Sequence, residues 1–174
     1  GYIGRVRDVK ALELLIEAVK SLPPAHRPTV RLAGDGTAAA RVRTMLMDEM
    51  EAGTLEARVS GPFTQADRPE LINSIDVMYA MYGPLRGNIL QGALPVKMFD
   101  AAAQGVPSVV NDGCLMGDVA LSEDLGTTAP WGDAEAVGQA LYEMRQRVVE
   151  LSATGEREHQ RWLKAMKPVF DQLQ

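Results

Sequence analysis

Apolar residues at Leu12, Leu15, Ile16, Val19 and Leu22 fall on one stripe of a helix, which the Pro23-Pro24 pair stops. Helical spacing returns at Val42, Met45, Leu46 and Met50, with Gly53 placed for a C-terminal cap. A short helix carries Leu71 and Ile72, with Asp67 or a neighbour at its cap. Another starts at Pro95, presents Met98, Phe99, Ala102 and Ala103, and ends at Gly105. Between these helices the runs Gly1–Val6, Thr29–Ala33, Ala57–Ser60, Asp76–Met81, Pro107–Asn111 and Gly126–Ala129 read as short strands. Gly113–Asp124 is a glycine-punctuated short helix or loop. The stretch from Tyr82 to Leu94 has no clean period and reads as a loop of about a dozen residues, a length that is usually functional or mobile. Beyond Asp133, an expected N-cap, Val137, Leu141, Met144, Val148 and Leu151 mark a long helix that Ser152–Gly155 breaks. Trp162, Leu163, Met166, Val169, Phe170 and Leu173 then share one face of a final helix kinked at Pro168. Strands alternating with helices predict an α/β domain over residues 1–174: a doubly wound parallel sheet of about six strands with helices on both faces.

Composition narrows the class. Of 174 residues, 46% are hydrophobic and 24% charged, the balance of a chain that folds around a core rather than a disordered or collagen-like one. No run of 18 or more apolar residues is present, and the opening lacks the succession of a signal peptide, so neither a membrane span nor an export signal is expected. The first strand starts without a lead-in, as expected of a segment cut from something longer. A single cysteine, Cys114, excludes an internal disulfide and a Cys-based zinc site, and no base lies near it in sequence to activate it. With a net charge of −5 and 5% aromatics, the chain has neither the basic field nor the stacking platforms of a nucleic-acid binder. His26 and His159 read as surface residues, too few and too far apart for a metal site or a triad. The methionines read mostly as core filling.

In an open parallel sheet, ligands bind beyond the carboxyl ends of the strands, where helix N-termini offer free N–H groups. That rule singles out Gly4, Arg5 and Lys10 after the first strand, with Arg7 beside them, and Leu94-Pro95-Val96-Lys97 before the fifth. Gly4 leaves room for a ligand against the backbone, and Arg5 and Lys10 suit a diphosphate, as a fork and a point charge respectively. Each such charge-assisted bond contributes about 1.5–3 kcal/mol, so local arrangement outweighs the acidic total. Two other readings stay open: solvated charges around a loop, and a plain strand-end turn at Gly34-Asp35-Gly36.

The ordered series Gly1-x-x-Gly4-Arg5 to Lys10, Ala33-Gly34-Asp35-Gly36, Val59-Ser60-Gly61, Ile75-Asp76-Val77 and Leu94-Pro95-Val96-Lys97-Met98-Phe99-Asp100 through Gly105-Val106-Pro107 resembles the C-terminal half of a family 4 glycosyltransferase of GT-B architecture. The resemblance implies a Rossmann-like domain that binds a nucleotide-sugar donor for retaining, metal-independent transfer of a hexose-type sugar. The acceptor, a glycan, lipid or small molecule, and any catalytic group would come with a missing N-terminal domain, so this half alone would bind without turnover. It further implies no cofactor, and a cytoplasmic protein whose other half makes any peripheral membrane contact. Arg5 and Lys10 would hold the diphosphate, the Val96 and Lys97 amides the distal phosphate, Asp100 the ribose, and Gly61 and Phe63 the base. Three positions depart from the family: Gly92 where an acid contacts the sugar, Asp100 where Glu is usual, and Ala11 where Gly often follows the Lys. A non-catalytic interaction module on the same fold is the alternative; a sugar-nucleotide epimerase half-domain is disfavoured by the two poorly placed histidines.

Overall fold

Two parallel three-stranded ladders form the centre of the molecule in a computed structural model that describes residues 1–84, 89, 91–148 and 160. In one, β1 (Tyr2–Ile3), β2 (Val30–Ala33) and β3 (Ala57–Ser60) run in that order, with Tyr2 opposite Leu32 and Leu32 opposite Val59. In the other, β4 (Met78–Ala80), β5 (Ser108–Asn111) and β6 (Gly126–Ala129) follow suit, with Val109 opposite both Tyr79 and Thr127. Gly1 joins the two ladders. Its amine donates to the Val77 carbonyl at 2.7 Å and its carbonyl accepts from the Tyr79 amide at 2.8 Å, the pair of bonds that a parallel ladder places around one residue. The strands therefore lie in the order β3-β2-β1-β4-β5-β6, and the winding reverses between β1 and β4.

The period-two alternation of the strands sends side chains into two separate cores, one on each face. Tyr2, Leu32, Tyr79, Met81 and Val109 pack with α1 (Val9–Ser21), α2 (Ala39–Glu51) and the helix at 134–148. Ile3, Ala33, Met78, Ala80 and Val110 pack with α3 (Arg68–Asn73), α4 (Val96–Ala103) and α5 (Leu115–Ser122). The doubly wound, Rossmann-like α/β sheet expected from the sequence is thus present, with its strands shorter at the ends than the apolar runs suggested. The stripe from Leu12 to Leu22 is buried throughout. Asp133 caps the long helix as expected, its Oδ1 accepting from the Ala136 amide at 2.9 Å.

Three local expectations are corrected and one open alternative is settled. Gly113–Asp124, expected as a short helix or loop, holds a helix at Leu115–Ser122. Phe99 is 40% exposed, and α4 instead buries Met98, Ala101 and Ala102. Asp67 stands at the start of α3, but its carboxylate accepts from the Thr64 amide and hydroxyl rather than from the helix, and those bonds hold its pKa below the usual value. Met47 and Met50 are exposed on α2, while Met78, Met81, Met98, Met116 and Met144 fill the cores. Leu151, the Ser152–Gly155 break, His159 and the kinked helix from Trp162 to Leu173 lie outside the described residues.

Candidate functional site

The switch point between β1 and β4 opens at the carboxyl ends of those strands, and tight backbone packing shapes its floor. Gly34 and Gly36 follow β2 with φ of +137° and +154°, and a Cβ on either would fall 1.9 Å from the Gly4 carbonyl oxygen or 2.3 Å from that of Val6. Only glycine allows this approach, which brings the Gly4 amide to the Ala33 carbonyl at 2.9 Å and the Val6 amide to that of Asp35 at 3.0 Å. Gly34-Asp35-Gly36 is therefore a turn that clamps the β1–α1 connection. Gly4 itself adopts φ +139° and leads the chain out of the ladder after Ile3.

The connection ends in a self-contained helix start. Asp8 Oδ1 accepts from the amides of Lys10 and Ala11 at 3.0 and 3.3 Å, closing the N-terminus of α1. One turn on, the buried Tyr79 hydroxyl donates to the Ala11 carbonyl at 2.8 Å, tying α1 to β4, and burial raises the phenol above its ordinary pKa. Arg5 and Lys10 stand exposed on this rim, and among the described residues no hydrogen bond or ion pair engages either side chain.

Across the opening, α4 begins after Pro95, and among the described residues no side chain caps it and no acid stands in its first turn. Lys97 turns back toward β1. Its ammonium sits 3.2 Å from the centroid of the Tyr2 ring and 5.7 Å from that of Tyr82, and a Cβ on Gly4 would lie 3.5 Å from its Cε. Tyr2 in turn donates to the Arg5 carbonyl at 2.9 Å, and Asn111, at the end of β5, holds the Tyr82 backbone through both its amide atoms. The structure thus brings Gly4 against the Lys97 side chain, with Arg5 next along the chain, Lys10 in the first turn of α1 and Val96 at the first position of α4.

Asp100 faces a different partner. Arg68 Nη1 donates to its Oδ2 at 2.6 Å, and the Arg68 guanidinium lies 5.9 Å from the Phe63 ring centroid. Phe63, Arg68 and Asp100 consequently form one group, with Gly61 beside it and open space where its Cβ would be. Gly92 has φ +86°, a left-handed backbone that an acidic side chain would strain. A separate open cavity of about 920 Å³ runs from the N-terminal ends of β2 and β4 to Gly61 and Phe63; it includes neither Arg5, Lys10, Lys97 nor Asp100. His26 stacks on Tyr142 at 4.7 Å beside that cavity, far in role from any catalytic base.

Sequence reasoning passed over Asp8, Tyr2, Asn111 and Arg68. Asp8 carried a readable signal, an acid just ahead of an apolar helical stripe. Arg68 carried none, because the carboxylate that gives it meaning sits on another helix.

Known structures share this fold. The catalytic domain of a cholesterol-alpha-glucosyltransferase from Helicobacter pylori superposes with a TM-score of 0.68 at 14% identity, covering 94% of this chain and 98% of that one. HepE from Anabaena, solved with UDP and glucose, gives 0.69 at 15% identity over 99% of this chain and 47% of that one. TarM from S. aureus, solved with fondaparinux, alpha-GlcNAc-glycerol and UDP, gives 0.68 at 13% over 94% and 32%. The chain thus spans nearly all of the first and less than half of the other two. Comparison with curated protein sequences returned no significant match. The family model described as glycosyl transferases group 1 matches residues 1–166, and with the doubly wound sheet in place around that match, the chain belongs to this family.

Proposed function

We propose that this chain is the donor-binding, C-terminal half of a two-domain GT-B enzyme that transfers a hexose-type sugar from a nucleoside diphosphate sugar to an acceptor with retention of configuration. One observation carries the reading: the start of α4 at Val96, capped by no side chain among the described residues, stands across from the glycine-walled end of β1, which the exposed cations Arg5 and Lys10 follow in the chain. Free amides at a helix N-terminus and fixed cations are what a diphosphate needs. During transfer, negative charge grows on the departing diphosphate, and donors fixed beforehand stabilise it without reorganising. Cations in these positions would do the work a metal ion does elsewhere. Gly61 and Phe63 would border the base, and Asp100 would accept from the ribose hydroxyls. The acceptor and any further catalytic group would come from the N-terminal half.

Calorimetric titration of the chain with UDP, GDP and ADP tests the donor site. Weak binding is expected, since the other half would normally close over the ligand and exclude water. Lys10→Ala should then weaken the best of the three by about tenfold or more, the value of one charge-assisted bond. Absence of binding by all three at millimolar concentration would sink the proposal. Restoring the N-terminal half and following the anomeric configuration of the product by NMR tests retention.

A second reading rests on the apolar residues Leu94, Val96, Phe99 and Leu115, all exposed around the start of α4, with Val96 at 64%. Such a surface also suits a non-catalytic interaction module. In that case Lys10→Ala leaves nucleotide titrations unchanged, while Val96→Asp abolishes association with the N-terminal half.

A further inference from the structure

We infer that Arg68 is a positioning residue for nucleoside recognition: with Asp100 and Phe63 it forms a two-sign clamp that selects a ribonucleotide over its 2′-deoxy counterpart. The inference rests on the donor-site reading above and deepens it.

Three features of the group carry it. Asp100 spends one carboxylate oxygen on Arg68 at 2.6 Å, and its side chain is 30% exposed, so the other oxygen is left to accept from a pair of neighbouring hydroxyls. Arg68 is equally divided. Its Nη1 holds Asp100, and among the described residues neither the buried Nε nor the unburied Nη2 has a hydrogen-bond partner. A planar donor fork pinned at one corner, with its remaining donors unspent, is poised for an oxygen acceptor close to Asp100. Phe63 supplies the flat apolar wall, with the guanidinium 5.9 Å from its centroid and no side chain at Gly61 to fill the neighbouring space. A carboxylate acceptor, a guanidinium donor and an aromatic face within one group match the diol and the planar base of a nucleoside.

The pairing also answers a question of reach. Asp is one methylene shorter than Glu, and a free aspartate on α4 samples several rotamers. Tied to Arg68 on α3, the carboxylate is held in one orientation. The buried Nε lies out of a ligand's reach, so the unburied Nη2 is the donor that a ligand oxygen meets.

The test compares three probes on the chain: the tightest binder among UDP, GDP and ADP, its 2′-deoxy analogue, and inorganic pyrophosphate. The unaltered chain should bind the ribonucleotide about tenfold more tightly than the deoxy form, one hydrogen bond to a charged group. Arg68→Met, which keeps the apolar stem against Phe63, should collapse that ratio toward one while pyrophosphate affinity stays within twofold. Asp100→Asn should do the same, and Arg68→Lys should restore part of the ratio. Pyrophosphate binding retained with no ribose preference, or a preference untouched by Arg68→Met, overturns the inference and leaves the diphosphate site standing. Failure of nucleotide and pyrophosphate alike overturns both. A merely structural ion pair would lower the melting temperature in Arg68→Met without moving the ratio.

Discussion

Two helices present their N-termini to the same crevice, and they are built oppositely. At α1 the Asp8 carboxylate closes on the amides of Lys10 and Ala11, and the Tyr79 hydroxyl anchors the first turn from β4. At α4 a proline stands in the capping position, and among the described residues no side chain caps the helix. The first end is satisfied by its own chain and contributes its cations, Arg5 and Lys10, by exposure alone. The difference separates a helix start closed by its own side chain from one without such a cap among the described residues, the one the proposed donor site uses.

The contrast can be broken by attacking the shared floor. Gly34→Ala places a Cβ 1.9 Å from the Gly4 carbonyl oxygen at a positive φ, and should cost about 3 kcal/mol or more, since neither backbone can yield cheaply. Thermal unfolding followed by circular dichroism should show the drop, with loss of diphosphate binding. The contrast sharpens if the free end is closed. Pro95 already has the extended backbone of a capping residue, φ −73° and ψ 130°. Pro95→Asp should therefore cap α4, raise its stability, and weaken nucleoside diphosphate binding about tenfold by occupying the amides and repelling the phosphates. Unchanged affinity in calorimetry would show that those amides do not meet the ligand.

Opening the closed end should have a smaller effect. Asp8→Ala removes the α1 cap for about 1 kcal/mol, a fall in melting temperature of about 2–4 °C, with nucleotide affinity within twofold of the original. A large loss of affinity would place the ligand at α1 instead. Smallest is a control remote from the crevice. Glu49 accepts from the Thr54 hydroxyl and from Lys20, and these bonds, the first foremost, hold its carboxyl below the ordinary glutamate value. Because the folded value is depressed, the unfolded chain binds the extra proton, so this contribution is full above the ordinary glutamate range and fades as pH falls through the lowered value. Thr54→Val should flatten that acid-side decline in melts taken between about pH 5 and pH 3, with nucleotide binding at neutral pH unaltered.

The strand and helix runs were readable because burial on two faces leaves a period in the sequence: Leu12 to Leu22 for α1, and Val77 to Met81 alternating between the two cores. Glycines at 34 and 36 were readable as a turn, though not as the clamp on β1 that they form, since the atoms they approach lie some thirty positions earlier. Gly4, Arg5, Lys10, Val96 and Lys97 were singled out by their places at strand and helix ends. Phe99 misled because helical spacing alone does not say which side of a short helix meets the sheet. Asp100 was legible as an acid in a helix, but its pairing with Arg68 was not.

What the sequence determined by itself is the alternation of elements, the two-sided burial and the ends at which chemistry could gather, because each follows from periodicity and from the backbone preferences of single residues. Tertiary structure alone decided that the starts of α1 and α4 stand across one crevice, that Lys97 turns back onto Tyr2, and that Arg68 grips Asp100. Those outcomes depend on ångström-scale approach between groups distant along the chain, and no local pattern of polar and apolar residues encodes such a distance.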